Sequence, residues 1–200
     1  MELLVVIGIM GFLVAVSLSG TSSNRQALAL RNDVAEMVSI IQMTREEAIA
    51  HNTTAWLLVH NDKSDPANYA RRVVSIYQSQ DANGNTVWVQ PRRPFSLYNG
   101  IFFDAANSAN YNATAAPVTQ NFNPATMKVG TGTSWLVYVF DANGTCEQAG
   151  GALVLMSGVQ ASPASATITI PNTKLRAGFV IQRLGSVILF QDPSQISASL

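Results

Sequence analysis

The residues that could do chemistry are few and scattered. His51 and His60 stand nine positions apart, and the one cysteine, Cys146, excludes an intrachain disulfide and a cysteine-based zinc cluster. His51 falls at the predicted end of a helix and His60 on a predicted strand, which leaves little for acid–base or metal chemistry. No serine–histidine–aspartate arrangement, phosphate loop or dinucleotide fingerprint is present. The expectation is no catalytic residue, no metal and no cofactor. Two features are left. One is a carboxylate, Glu2, directly ahead of an uninterrupted apolar run. The other is a pair of basic doublets, Arg71-Arg72 and Arg92-Arg93, with Tyr69, Tyr77 and Trp88 near them in sequence. Cations beside aromatic rings are the residue types of a ligand or DNA contact. The competing reading of the same doublets is solvated or locally paired arginine.

The elements that must position these residues change character along the chain. Leu3 to Leu18 reads LLVVIGIMGFLVAVSL, and no charge lies between Glu2 and Arg25. Leu3, Leu4, Val5, Val6, Ile7, Ile9, Phe12 and Leu13 are its bulky members. Eighteen helical residues cover roughly 27 Å, the lower edge of a bilayer span. A cleaved signal peptide would use Ala15-Val16-Ser17, but no basic residue precedes the run. A buried core helix, apolar all round, would need protein on every side.

After Ser19–Asn24, apolar or small residues recur at Ala27, Leu30, Val34, Met37, Ile41, Thr44 and Ala48, alternating steps of three and four. That spacing is one stripe of a helix over 25–52, with Asn52 as its stop. The stripe fits a helix laid on its own sheet or coiled-coil contact with other subunits. Beyond Asn52 the period becomes two. Strands are expected at 54–60, 72–78, 86–90, 135–140, 152–156, 166–170, 178–182 and 187–190. Asp81–Asn85 and Asp141–Gly144 carry Asp-Ala-Asn-Gly turn signals, and a third turn spans Arg183–Ser186. Trp56, Trp88 and Trp135 fall within these strands as core or half-buried positions. Residues 104–133, rich in Asn, Ala, Thr and Gly, read as a surface excursion with at most short structure of its own.

The layout is α+β: residues 1–24 as an apolar transmembrane or assembly helix, 25–52 as its amphipathic continuation, and 53–200 as an antiparallel β domain. Charged residues make up 12% of the chain, about half the usual share of a soluble domain. They balance to zero, which argues against a protein that coats nucleic acid. The β domain is wetted instead by Asn, Thr, Ser and Gln, with fifteen Asn in the chain, which suits an exported surface better than a cytosolic enzyme.

Glu2 to Leu13, ELLVVIGIMGFL, closely resembles the start of type IV pilins and type II secretion pseudopilins. In that pattern an aromatic residue, Thr, Leu, an aliphatic residue and Glu precede such a run, so Met1 and Glu2 take its fourth and fifth places. Met43–Asn52, MTREEAIAHN, is similar to the end of the long helix in H-type pseudopilins and FimT-like minor pilins, with Thr44 where Ala is usual. Val139–Thr145 is similar to a turn of that family, and the hairpin around Gly185 to its closing strand pair.

The resemblance implies a non-enzymatic minor subunit of a type IV pilus or type II secretion-like filament. Its expected partners are other pilin or pseudopilin subunits, the inner membrane before assembly, and prepilin peptidase. It would be single-pass in the bacterial inner membrane, with a periplasmic β domain that becomes periplasmic or extracellular on assembly. Glu2 would pair with the terminal ammonium of a neighbouring subunit and set register. The other reading of Glu2 is an interfacial acid favoured by the helix dipole. Two alternatives stand beside the filament subunit: a DNA-binding minor pilin using Arg71, Arg72, Arg92 and Arg93, and an anchored periplasmic β domain unrelated to filaments.

Overall fold

The computed structural model describes residues 21–104, 108, 118–121, 134–148 and 152–190. Glu2, the apolar run from Leu3 to Leu18 and most of the 104–133 excursion lie outside them. Helix α1, Thr21–Ala50, contains no Gly or Pro, so nothing in its sequence interrupts the backbone ladder. Asn52 ends it at φ 49°. The Asn52 amide donates to Ile49 O and the Thr53 amide to Ala48 O, the paired bonds of a left-handed helix cap.

Of the helical stripe, Leu30, Met37, Ile41, Thr44 and Ala48 are buried. Ala29, Asp33 and Ile40 are buried beside them, so the covered face is wider than a coiled-coil seam. α1 lies on the chain's own sheets, touching strands of both. Among the described residues no helix is long and apolar enough to cross a membrane.

Twelve strands follow among the described residues: β1 Ala55–His60, β2 Arg72–Gln80, β3 Thr86–Val89, β4 Phe95–Ser96, β5 Ile101–Phe103, β6 Val118–Asn121, β7 Ser134–Phe140, β8 Ala152–Ser157, β9 Val159–Gln160, β10 Ile168–Thr169, β11 Arg176–Ile181 and β12 Val187–Phe190. The larger sheet runs β3-β2-β1-β7-β6, with β4 also on β2; the smaller runs β12-β11-β8-β5, and β9 and β10 form a ribbon. Every pairing is antiparallel. β6 falls inside the predicted excursion, as an edge strand against β7.

Register sorts the apolar residues. Leu57 faces Tyr138 and Ser75 across its two neighbours, and this set turns towards α1. Thr44 is fully buried there and its hydroxyl bonds both Ile40 O (2.7 Å) and Ser75 Oγ (2.9 Å), tying helix to sheet. The alternate residues Leu58, Val74, Ile76, Trp135, Val137 and Val139 form a second buried cluster on the opposite face. Trp56 and Trp88 pack on that cluster with ring centroids 4.3 Å apart. The larger sheet is therefore buried on both faces, where antiparallel sheets commonly leave one wet.

Candidate functional site

The basic doublets meet one edge of the larger sheet, because β4 pairs Ser96 with Arg72. Arg71 turns inward: its Nη2 donates to Leu97 O at 3.3 Å, and its guanidinium stands 5.7 Å from the Phe102 ring centroid. Arg92 reaches Glu36 of α1 at 3.2 Å; both side chains are exposed, so the pair is worth at most about 1 kcal/mol. Arg72 is half-buried at the start of β2, and Arg93 is exposed. Beside them the buried Asp33 carboxylate accepts the Tyr98 amide at 2.8 Å. Burial pushes the Asp33 carboxyl up, against the opposing pull of that hydrogen bond and of Arg71. The segment from Arg92 to Tyr98 is thus strapped onto α1 by Asp33 and Glu36, and two of the four arginines take part in that packing.

The histidines do not converge. His51 pairs with Glu47 at 3.2 Å and stacks on Tyr77 with ring centroids 4.2 Å apart. His60 is buried edge-on against Trp135, with Nε2 3.7 Å from Asp65 Oδ2. Burial holds the His60 ring below its usual pKa, and Asp65 and Asp62 pull it back up. Burial raises the Cys146 thiol to about 11, so the buried group is protonated at neutral pH. Among the described residues no group of three or more His, Cys, Asp or Glu is placed to hold a metal.

Three separate segments converge at the C-terminal end of α1. Arg45 Nε donates to Gly144 O at 3.2 Å, across 99 residues of sequence. Gly144, in the Asp141–Thr145 turn, and Gly185, at the tip of the β11–β12 hairpin, both hold φ +74°. A Cβ on Gly144 would lie 2.6 Å from Ile49 Cδ1 and 2.9 Å from Arg45 Nε. A Cβ on Gly185 would run into Arg45 Cδ and lie 2.7 Å from Gly144 O. The Cys146 amide donates to Arg183 O at 2.9 Å, so the two turns are bonded directly and the two sheets are joined beneath Arg45. Sequence reading singled out the Met43–Asn52 stretch, the turn at 141–145 and the hairpin around Gly185 separately. It missed that all three are one place, because no local spacing links position 45 to 144 and 185.

A second surface lies at the other end of the same hairpin. An open groove of about 550 Å³ separates the N-terminal half of α1, at Leu30, Arg31 and Val34, from Lys174 in the turn before β11 and from Leu189 and Phe190 of β12.

No family model and no curated protein matches the chain. Among solved structures it is similar to the type IV minor pilin FimU of Pseudomonas aeruginosa, at 12% identity over 82% of this chain and 90% of that one, with a TM-score of 0.42. It is also similar to the minor pseudopilin EpsH of the type II secretion system of Vibrio cholerae, at 12% identity over 81% of this chain and 95% of that one, with a TM-score of 0.43. A second crystal structure of EpsH gives 0.41.

Proposed function

We propose that this protein is a non-enzymatic filament subunit of the minor pilin or pseudopilin kind, assembling with other such subunits. The observation that carries the reading is the sequence of residues 2–18, an acid followed by an unbroken apolar run, feeding into a helix whose continuation packs on antiparallel sheets. In this reading Leu3, Leu4, Val5, Val6, Ile7, Ile9, Phe12 and Leu13 hold the subunit in the inner membrane and later join the apolar core of the filament. Glu2, a costly charge in such a core, pairs with a neighbouring terminal ammonium. The globular part faces the periplasm, and prepilin peptidase matures the chain.

The test is fractionation of the full chain and its Glu2→Ala variant in cells. Wild-type chain is expected in the inner membrane and in sheared filaments; the variant is expected in the membrane alone. A variant that enters filaments as wild type does removes the register role, and wild-type chain absent from membranes removes the anchor. Duplex DNA bound at low salt, and lost on Arg72→Ala with Arg93→Ala, would favour the DNA-binding alternative instead.

A further inference from the structure

An asparagine followed by glycine is a pair that can react with itself. The glycine amide nitrogen lies within reach of the asparagine side-chain carbonyl carbon, and glycine has no side chain to obstruct the approach. The chain has three such pairs, Asn83-Gly84, Asn99-Gly100 and Asn143-Gly144. They share one chemistry and differ in what holds the glycine nitrogen.

At two of them the nitrogen is held. The Gly84 amide donates to Asp81 O at 3.0 Å, and the Gly144 amide to Asp141 O at 2.8 Å. Gly144 is also buried against Arg45 and Ile49. The third pair is different. Tyr98–Ile101 is a turn closed by the Ile101 amide on Tyr98 O at 3.0 Å, with Gly100 at φ 90°. The central peptide unit of such a turn, here Asn99 O and Gly100 N, takes no part in the closing bond. Among the described residues neither atom has a partner, and Asn99 is exposed. Both flanks, by contrast, are fixed. The Tyr98 amide donates to Asp33 Oδ2 of α1 at 2.8 Å, and the Gly158 amide, just past β8, donates to Gly100 O at 2.9 Å. A free, solvent-facing peptide unit therefore sits between two anchors.

We propose that Asn99 is a site of self-modification, the one Asn-Gly pair of the three that the fold leaves open to deamidation. The Gly100 nitrogen gives its proton to solvent base and bonds to Asn99 Cγ. The bond from Cγ to the side-chain nitrogen breaks, and ammonia leaves. Water then opens the resulting five-membered succinimide. Opening at the side-chain carbonyl gives aspartate; opening at the backbone carbonyl gives isoaspartate, with the chain routed through Cβ and Cγ. Isoaspartate lengthens the main chain by one carbon between the two anchors. It therefore loosens the hold of Asp33 on Tyr98 or of Gly100 on Gly158, and the modification acts as an ageing mark on the strap over α1. This inference goes beyond the filament reading and does not depend on it.

The test incubates the full chain in detergent micelles in mildly alkaline buffer. Each pair is followed by peptide mass spectrometry, with an isoaspartyl methyltransferase as the probe of the iso form. The same chain in concentrated guanidinium chloride gives the rates that local sequence alone sets. In the folded chain Asn99 is expected to convert about fivefold faster than Asn83, whose glycine amide must first be freed from a hydrogen bond. Asn143, held and buried, should be the slowest. In denaturant the three rates should converge. Asn83 converting as fast as Asn99 in the folded chain, or the same order persisting in denaturant, overturns the proposal. Asn99→Gln, whose longer side chain closes the ring far more slowly, should abolish the signal at 99. Amide hydrogen exchange at Tyr98 or Gly158 should be several-fold faster in the aged chain than in Asn99→Gln aged beside it. Equal exchange at both amides overturns the loosening of the strap.

Discussion

Two turns of this chain share four residues, Asp-Ala-Asn-Gly, at 81–84 and 141–144. Their local structures match. Asp81 Oδ1 accepts the amides of Asn83 and Asn85, each at 2.8 Å. Asp141 Oδ1 accepts those of Asn143 and Thr145 at 2.9 and 2.8 Å. The glycines hold φ 81° and 74°. Their surroundings differ. No atom lies within 4 Å of a Cβ built on Gly84, whereas one on Gly144 meets Ile49 and Arg45. The local code builds the turn; only where a helix descends on it does the missing side chain also become a packing requirement.

Substitutions separate the two demands, and the largest effect belongs to Gly185. Gly185→Ala combines an unfavourable φ with a collision against the Gly144 carbonyl, a backbone atom that cannot swing aside. A loss of about 3–4 kcal/mol is expected in denaturant unfolding of the full chain. Gly144→Ala is expected to cost about 2–3 kcal/mol, because the Ile49 side chain that obstructs it is half-exposed and can move. Arg45→Ala, which removes one hydrogen bond and the packing of the stem, should cost about 1–2 kcal/mol. Combined with Gly185→Ala it should cost less than the sum, since Arg45 supplies much of the obstruction; strict additivity would show that the two residues do not press on each other. Gly84→Ala pays for φ alone, about 1 kcal/mol. A Gly84→Ala loss equal to that of Gly144→Ala would erase the distinction between the turns.

The smallest effect tests their likeness. The Asn85 side chain and then its amide hold the Asp81 carboxyl below its ordinary value of 3.8. The Thr145 hydroxyl and then its amide do the same for Asp141. A carboxylate with a depressed folded pKa adds stability above its unfolded value, and that contribution fades as pH falls from about 4 through the folded value. Asp81→Asn and Asp141→Asn should each flatten the acid limb of the stability curve slightly and by similar amounts. A clearly steeper dependence on Asp141 would mean that the helix junction, and not the turn, sets its proton affinity.

The sequence made legible what local rules decide. The Asn52 stop needs one left-handed residue, the stripe from Leu30 to Ala48 needs one helical face, and the three turns carry their own signals. β4, with two residues, and β5, with three, escaped notice because their neighbours fix them: β4 is held on β2 and β5 on β8. The inward turn of Arg71 and the pairing of Arg92 with Glu36 were hidden for the same reason. Doublets of cations look alike in sequence whether they face solvent or a helix packed across the fold. Arg45 was noticed only as part of a motif, because its partners lie 99 and 140 positions away.

Those distances have a consequence for the order in which the fold can be completed. A chain made from its N-terminus exposes Arg45 and Ile49 long before Gly144 and Gly185 exist. α1 and the β1–β2 pair can form early from near neighbours, but the bond between Cys146 and Arg183 must wait for the final hairpin. The Arg45 and Ile49 side of the helix end therefore stays uncovered until almost the whole domain has been synthesised, and truncation before residue 183 would remove one of the bonds that tie the two sheets together.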